Sequence, residues 1–308
     1  MTAPMLLICA NKRHRWNLYS TVDDKVFDLQ LSIPKKRYCG SSFGWLIYVD
    51  KNLAVTLINP FLRFKGRTKK ENSIIRLPPL PPPTNRDDQR PRWSRQCEHY
   101  VFKATMLRKD TKWTSIHMSV DIQGVFIQEV ACVEDKFYTV DRWNRLSTFG
   151  VTAESNSDLE LVACLTRPRG VDKKYLVYSN ERELLMLIRC MVYTGGKRAT
   201  VRFLVYELNF DECEWFEKHN LGDDVALFVG DNSSISVSAS KSGCLSNCIY
   251  FIHDYDLNGY DIDQRYHLDF GVYNVKSQSI SQPCTQHARD LVEMTDYQPI
   301  WVLPTLKL

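Results

Sequence analysis

The feature that most constrains this chain is the recurrence of short β-rich runs, each closed by a polar turn. WNLYSTV, FGWLIYV, AVTLINP, HYVFKATML, TSIHMSVDI, GVFIQEV, KFYTV, LSTFGV, KYLVYS, ATVRFLVYEL, DVALFVG, CIYFIH, GVYNV and IWVLP follow one another along the sequence. Asp, Asn, Gly, Lys and Pro separate them at intervals of about ten residues, the spacing of an all-β fold. Only ERELLMLIRCM, Glu181 to Met191, is ambiguous between helix and strand. A short apolar run cannot be typed by period alone. Its neighbours KYLVYS and YTGGKRATVRFLVY favour a strand of a meander.

Three segments share one design: LIYVDKNLAVTLINP, FYTVDRWNRLSTFGV and FLVYELNFDECEWFEK. In each, an aromatic-apolar strand ends near Asp or Glu, a polar turn follows, and a second strand returns. That hairpin recurs in the radial blades of β-propellers, which protect many short strand edges at once. With blades of about 40–45 residues and four strands each, the length predicts a single all-β propeller of roughly seven blades over residues 1–308. The composition, 44% hydrophobic and 25% charged, suits a large soluble core.

Compartment and partners are constrained next. No apolar run approaches the roughly 20 residues of a spanning helix, so no membrane partner is expected. The opening MTAPMLLICANKRHRW places its basic residues after a short apolar patch, the reverse of a secretory signal. Ten cysteines at scattered spacings then read as reduced thiols, which predicts a cytoplasmic or nuclear protein. The net charge of +4 hides an asymmetry: residues 1–112 carry 22 Lys and Arg against 9 Asp and Glu, and the remainder is acidic. RFKGRTKK and RDDQRPRWSR are the densest basic stretches. Such patches attract nucleic acid or acidic protein surfaces. With no zinc-finger or RRM signature, the expected partner is an unknown protein with an acidic surface, and no nucleic acid.

Several motifs suggest chemistry and then fail on their context. HDYDLNGYDID, His253 to Asp263, places Asp256, Asn258 and Gly259 at the third, fifth and sixth positions of a calcium loop counted from Asp254. The twelfth position is Arg265, and both flanks read as strands where a calcium hand needs helices. Cys244 and Cys248 have no second pair at zinc-ligand spacing. Gly40-Ser41-Ser42-Phe43-Gly44 matches the nucleophile-elbow pattern, but WLIYVD after it is a strand and not the helix that the elbow requires. LPPLPPPT contains a PxxP pattern, read here as a stiff exposed loop joining two blades. Asn232-Ser233-Ser234 is a glycosylation sequon, without use in a chain that is not secreted. No cofactor, metal or catalytic residue is therefore assigned.

The same residues carry a family resemblance. GSSFGWLIYVDKNLAVTLINPF followed by IIRLPPLPP resembles the opening of the plant KIB-type β-propeller domains. DKFYTVDRWNRLSTF, WFEKHNLGDDVALFVGDNSSISVSAS, GCLSNCIYFIHD, GVYNVKSQSI and PIWVLP agree with that family in the same order along the chain. The resemblance implies a propeller usually found behind an F-box, a helical module that contacts a Skp1-type adaptor of a cullin ubiquitin ligase while the propeller holds the target. No F-box is evident ahead of the propeller signature, which starts almost at Met1. A Skp1-type adaptor is thus expected as a partner only if an F-box is supplied. The reading is a non-enzymatic protein-interaction module. The alternatives are a ubiquitin-ligase substrate receptor, if an F-box is missing from this chain, and, more remotely, an enzyme or ligand site in the propeller channel. Loops carry recognition, and Trp and Arg are enriched among interface hot spots. Arg92, Trp93, Arg142 and Trp143 lie in expected turns and are the candidate partner-binding residues.

Overall fold

The computed structural model describes residues 3–10, 15–29, 33–34, 38–42, 44–50, 52–63, 73–79, 127–134, 136–150, 159–166, 172–194, 197–254, 269–281, 290 and 299–304. They form a β-propeller with five sheets among the described residues. Blade 1 begins with β1 (Met5–Ala10), β2 (Arg15–Ser20) and β3 (Lys25–Leu29). Blade 2 comprises β4 (Tyr38–Ser42), β5 (Trp45–Val49), β6 (Val55–Ile58) and β7 (Ile74–Leu77). Blade 3 comprises β8 (Ile127–Val133), β9 (Lys136–Asp141), β10 (Arg145–Gly150) and β11 (Glu160–Cys164). Blade 4 comprises β12 (Asp172–Tyr178), β13 (Leu184–Thr194), β14 (Lys197–Asn209) and β15 (Glu214–Glu217).

Blade 5 departs from the four-strand meander. Its order is β17-β16-β18-β19-β20, from β16 (Val225–Gly230), β17 (Ser233–Ser238), β18 (Cys248–Phe251), β19 (Gly271–Asn274) and β20 (Ser279–Ser281). A one-turn helix α1 (Ala239–Ser242) carries the chain back so that β18 runs parallel to β16. Ser238 caps that turn by accepting the Lys241 N–H, and Gly243 ends it in the left-handed region at φ 69°. Finally β21 (Ile300–Val302) returns to pair antiparallel with β1 and completes blade 1.

The expectation of roughly seven blades is thus corrected to five. It divided the length by a uniform four-stranded unit. Blade 5 is longer than that unit, and residues 80–126, with the runs HYVFKATML and TSIHMSVDI, lie outside the described residues. The ambiguous Glu181–Met191 segment supplies strand β13 from Leu184 onward.

The inner strands are β4, β8, β12, β17 and β21, which approach one another at the centre. The blades are held by apolar seams between neighbours. Leu7, Trp16 and Leu18 of blade 1 meet Tyr38, Leu46 and Ile58 of blade 2. Leu6 and Ile8 face Phe228 and Tyr250 of blade 5. Tyr175, Leu187 and Phe203 of blade 4 meet Leu227, Phe251 and Tyr273. Val140 and Leu146 of blade 3 meet Leu176, Met186 and Ile188. Strand alternation produces this: successive side chains point to opposite faces, so each central blade buries both.

Many hairpins close on one residue in the left-handed region, a device that matches the twist of paired strands. Leu53, Asn144, Arg182 and Cys213 have φ of 60°, 65°, 67° and 55°. An Asp, Ser or Asn opening each turn accepts backbone N–H groups across it, as Asp50, Asp141, Ser179 and Asn209 do.

Candidate functional site

The geometry singles out one rim of the ring. Call the upper end that at which β12 begins. Lys173 at that end donates to Asp231 at 2.7 Å, and Lys174 donates to Gln128 of β8 at 3.1 Å. The β9–β10 turn, Asp141 to Arg145, lies at this end, because Lys174 also donates to the Arg142 carbonyl at 3.3 Å. Asp141 is buried and pins the turn. Its Oδ1 accepts the N–H groups of Trp143 at 2.8 Å and Arg145 at 3.0 Å, and its Oδ2 accepts Arg145 Nε at 2.6 Å.

The backbone therefore holds Arg142 exposed and Trp143 half-buried. Two guanidinium groups stand over the indole: Arg142 at 5.1 Å and Arg145 at 5.0 Å from the ring centroid. Both are cation–π distances. Of the four sequence-predicted contact residues, Arg142 and Trp143 are thus adjacent on one rigid turn. Arg92 and Trp93 lie outside the described residues. Arg145, which sequence reasoning missed, joins the pair; the spacing DRWNR was the available signal.

The lower rim has the opposite character. Its described turns carry Asp23, Asp24, Glu134, Glu181, Glu183, Asp211, Glu212, Asp223 and Asp224, against Arg182, Lys218, Lys241 and Lys276. Among the described residues, the guanidinium cluster sits on the end away from these acids.

Below the upper rim lies a buried polar knot. Arg189 of β13 is wholly buried, with its guanidinium 4.7 Å over Phe251. Its Nη1 donates to Asp254 Oδ2 at 2.7 Å, to the Ile252 carbonyl at 2.7 Å and to Tyr175 at 3.1 Å. Nη2 reaches Asp269 Oδ2 at 3.0 Å, and Nε donates to Thr200 at 2.7 Å. Tyr175 donates in turn to Asp254, and Arg198 to the Asp254 carbonyl. Burial alone would lower the Arg189 pKa, but Tyr175, Asp254 and Asp269 more than offset it, so the guanidinium stays charged. Burial, with Asp231 nearby, pushes the Asp254 carboxyl up against the pull of Arg189 and Lys173. The knot grips the chain at Asp254 and again at Asp269. Residues 255–268 between them, which hold nearly all of the calcium-like sequence, lie outside the described residues.

The other motifs find plain roles. Gly40 to Ser42 belong to β4, and the chain turns through Gly44 into β5, a strand-to-strand hairpin. The Ser41 N–H donates to the Asn232 carbonyl at 2.7 Å. Asn232 of the sequon is itself buried beside the axis. Burial pushes the Cys244 thiol up to about 11, and Cys248 accepts from the Asn274 amide. Among the described residues no group of three or more His, Cys, Asp and Glu is placed to hold a metal ion, and no helix is long and apolar enough to cross a membrane. Pro78 and Pro79 of the PxxP motif follow β7 and are exposed, while Leu80 and Pro81 lie outside the described residues.

The family profile described as the KIB1-4 beta-propeller matches residues 18–274. The chain belongs to the KIB1-4 β-propeller family. Similar proteins of Arabidopsis thaliana are F-box protein SKIP23, 27% identical over 202 residues, covering 59% of this chain and 47% of that protein; putative F-box protein At5g55150, 23% identical over 233 residues, covering 70% and 61%; and putative F-box protein At3g25750, 38% identical over 86 residues, covering 28% and 23%. This KIB1-4 propeller therefore spans from under a quarter to about three-fifths of the length of these relatives.

Proposed function

We propose that this KIB1-4 propeller is a non-enzymatic protein-interaction module whose upper rim engages an acidic surface on its target. The observation that carries the reading is the Arg142–Trp143–Arg145 cluster on a turn whose backbone Asp141 holds in place. An aromatic ring flanked by guanidinium groups offers apolar contact area and charge together, the composition of interface hot spots. A turn pinned before binding loses little conformational freedom on binding.

The named relatives are F-box proteins, and the proposal extends to them. Joined to an F-box, the propeller would hold the target while a Skp1-type adaptor engages the other module. Alone, it would bind the same target without ligase coupling. The described cysteines are free thiols, which fits work in the cytosol or nucleus.

The test compares the wild-type chain with an Arg142→Ala/Trp143→Ala variant as baits in plant extract. Thermal unfolding serves as the control for folding. The expected result is a set of acidic proteins retained by the wild type and lost by the variant at unchanged melting temperature. Equal retention by the two baits would defeat the assignment of this rim.

A further inference from the structure

One corner of the lower rim, between the outer parts of blades 3 and 4, gathers an exposed aromatic ring and several carboxylates. The β14–β15 turn supplies Phe210, Asp211, Glu212 and Glu214, all exposed. Asn209 Oδ1 pins this turn by accepting the N–H groups of Asp211 at 2.9 Å and Glu212 at 3.2 Å, and Cys213 takes the left-handed position at φ 55°. Asn209 holds backbone groups only, so the two carboxylates take no part in forming the turn.

A ring contact joins the two blades here. Phe210 meets Tyr138 of β9 edge-to-face, with centroids 5.9 Å apart, yet stays 43% exposed. Burial raises the Tyr138 phenol pKa against a hydrogen bond with Thr148, and Glu134 and Cys213 raise it further, so both lie beside the ring pair. β11 lies against β15, and the lower ends of these strands carry Glu160 and Glu214.

The carboxylates of this corner are available. None of Glu134, Glu160, Asp211, Glu212 and Glu214 enters an ion pair among the described residues. The three turns that meet here, 133–136, 150–160 and 209–214, contain one Lys, Lys136, and no Arg. Asp135 and residues 151–158 lie outside the described residues, and their sequence adds Asp135, Glu154 and Asp158 without a Lys or Arg. The acid excess therefore holds whatever course that connection takes. Like charges gathered in this way repel one another, and of these turns only Lys136 offers relief.

We propose that this corner docks a Lys- or Arg-rich segment of a protein partner, with one cation seated on the exposed Phe210 ring and its neighbours paired with the carboxylates. The surface shares no residue with the upper-rim cluster, so the two stand or fall separately. Charge complementarity selects the basic segment. The ring adds a cation–π contact and apolar area for a Lys or Arg stem, which scattered surface acids do not offer. Because Asn209 and the Tyr138 contact hold the turn, little freedom is lost on binding.

The probe is a fluorescein-labelled peptide of four Arg separated by Gly and Ser, with its citrulline counterpart as the uncharged control. Fluorescence anisotropy at low salt measures both against the full chain and three variants. Asp211→Asn/Glu212→Gln removes two charges from the corner. Glu181→Gln/Asp223→Asn removes two exposed charges elsewhere on the lower rim. Phe210→Ser removes the ring, and thermal melting checks its fold. The Arg peptide should bind and the citrulline peptide should not. Affinity should fall about tenfold in the corner charge variant, about threefold or more in Phe210→Ser and less than about twofold in the other charge variant. The proposal is overturned by a wild type that ignores the Arg peptide, by equal losses in the two charge variants, or by a folded Phe210→Ser that binds as the wild type does. Binding that appears only after Lys69→Gln/Lys70→Gln would also overturn it, because the basic stretch of this same chain would then be the occupant.

Discussion

Two turns on the upper rim, Asp50–Ala54 in blade 2 and Asp141–Arg145 in blade 3, are built alike and differ in what they display. In blade 2, Asp50 Oδ1 accepts the N–H groups of Asn52 at 2.8 Å and Ala54 at 3.0 Å. In blade 3, Asp141 Oδ1 accepts those of Trp143 and Arg145 at the same 2.8 and 3.0 Å. Each turn also bonds its left-handed residue, Leu53 or Asn144, back to the opening Asp carbonyl. Yet Leu53 tucks against the apolar face of blade 2, whereas Asn144 bonds to the Leu165 carbonyl, with Arg142 exposed and Trp143 half-buried between. The lesson is a division of labour within five residues. The opening Asp and the left-handed position set the backbone, and the residues between them are free to carry recognition.

The comparison can be broken or sharpened by substitution, beginning with the largest expected effect. Blade 4, which meets blade 3 along an apolar seam, is anchored in turn by Arg189. Arg189→Met should cost about 3–5 kcal/mol, read from urea unfolding, because it strands Asp254 in a dry interior. Lys218, half-buried near the surface with its partners Glu183 and Glu207, is the control, and Lys218→Met should cost about 1 kcal/mol. Equal losses would mean that the buried knot contributes no more to stability than an ion pair near the surface.

Next come the two opening acids. Asp50→Ala and Asp141→Ala should each cost about 1–3 kcal/mol, since each removes two charge-assisted bonds to backbone N–H groups. A silent Asp50→Ala beside a costly Asp141→Ala would assign the stability to the Arg145 ion pair and not to the turn.

A smaller effect separates the left-handed positions. Asn144→Leu should cost about 1–2 kcal/mol, as a branched side chain enters the left-handed region and the bond to Leu165 is lost. Leu53 already occupies the equivalent place because packing compensates it, so Leu53→Asn should change the melting temperature little. Smallest of all, Trp143→Ala should alter stability by no more than about 1 kcal/mol, the scale of two exposed cation–π contacts. A larger loss would show that Trp143 is a strut of blade 3 and not a contact residue.

The hairpins were legible because their chemistry is local. LIYVDKNLAVTLINP, FYTVDRWNRLSTFGV and FLVYELNFDECEWFEK became β5–β6, β9–β10 and β14–β15. Polar turn residues between alternating apolar ones suffice for that. The number of blades was not legible, since blade 5 reaches its parallel β16–β18 pair through α1, a crossover that no strand pattern announces. Arg142 and Trp143 could be named from a turn and two residue types. The extension of β13 and β14 past their neighbours could not, because it lies where β12 and β15 stop pairing. The buried knot joins Tyr175, Arg189, Thr200, Asp254 and Asp269, far apart along the chain. Its one visible trace was an arginine inside the apolar run LLMLIRCMVY.

The pairing of β21 with β1 has a consequence for how the protein is made. Met5, Leu6 and Leu7 face Val302, Trp301 and Ile300, so β1, the earliest described strand of the propeller, waits for β21, the latest. Until then blade 1 lacks its inner strand, and the Trp301 indole that donates to the Val229 carbonyl is missing from the seam with blade 5. A stop codon before Ile300 would leave this propeller with its clasp undone, and quality control would meet it as an open chain exposing the apolar edges of two blades.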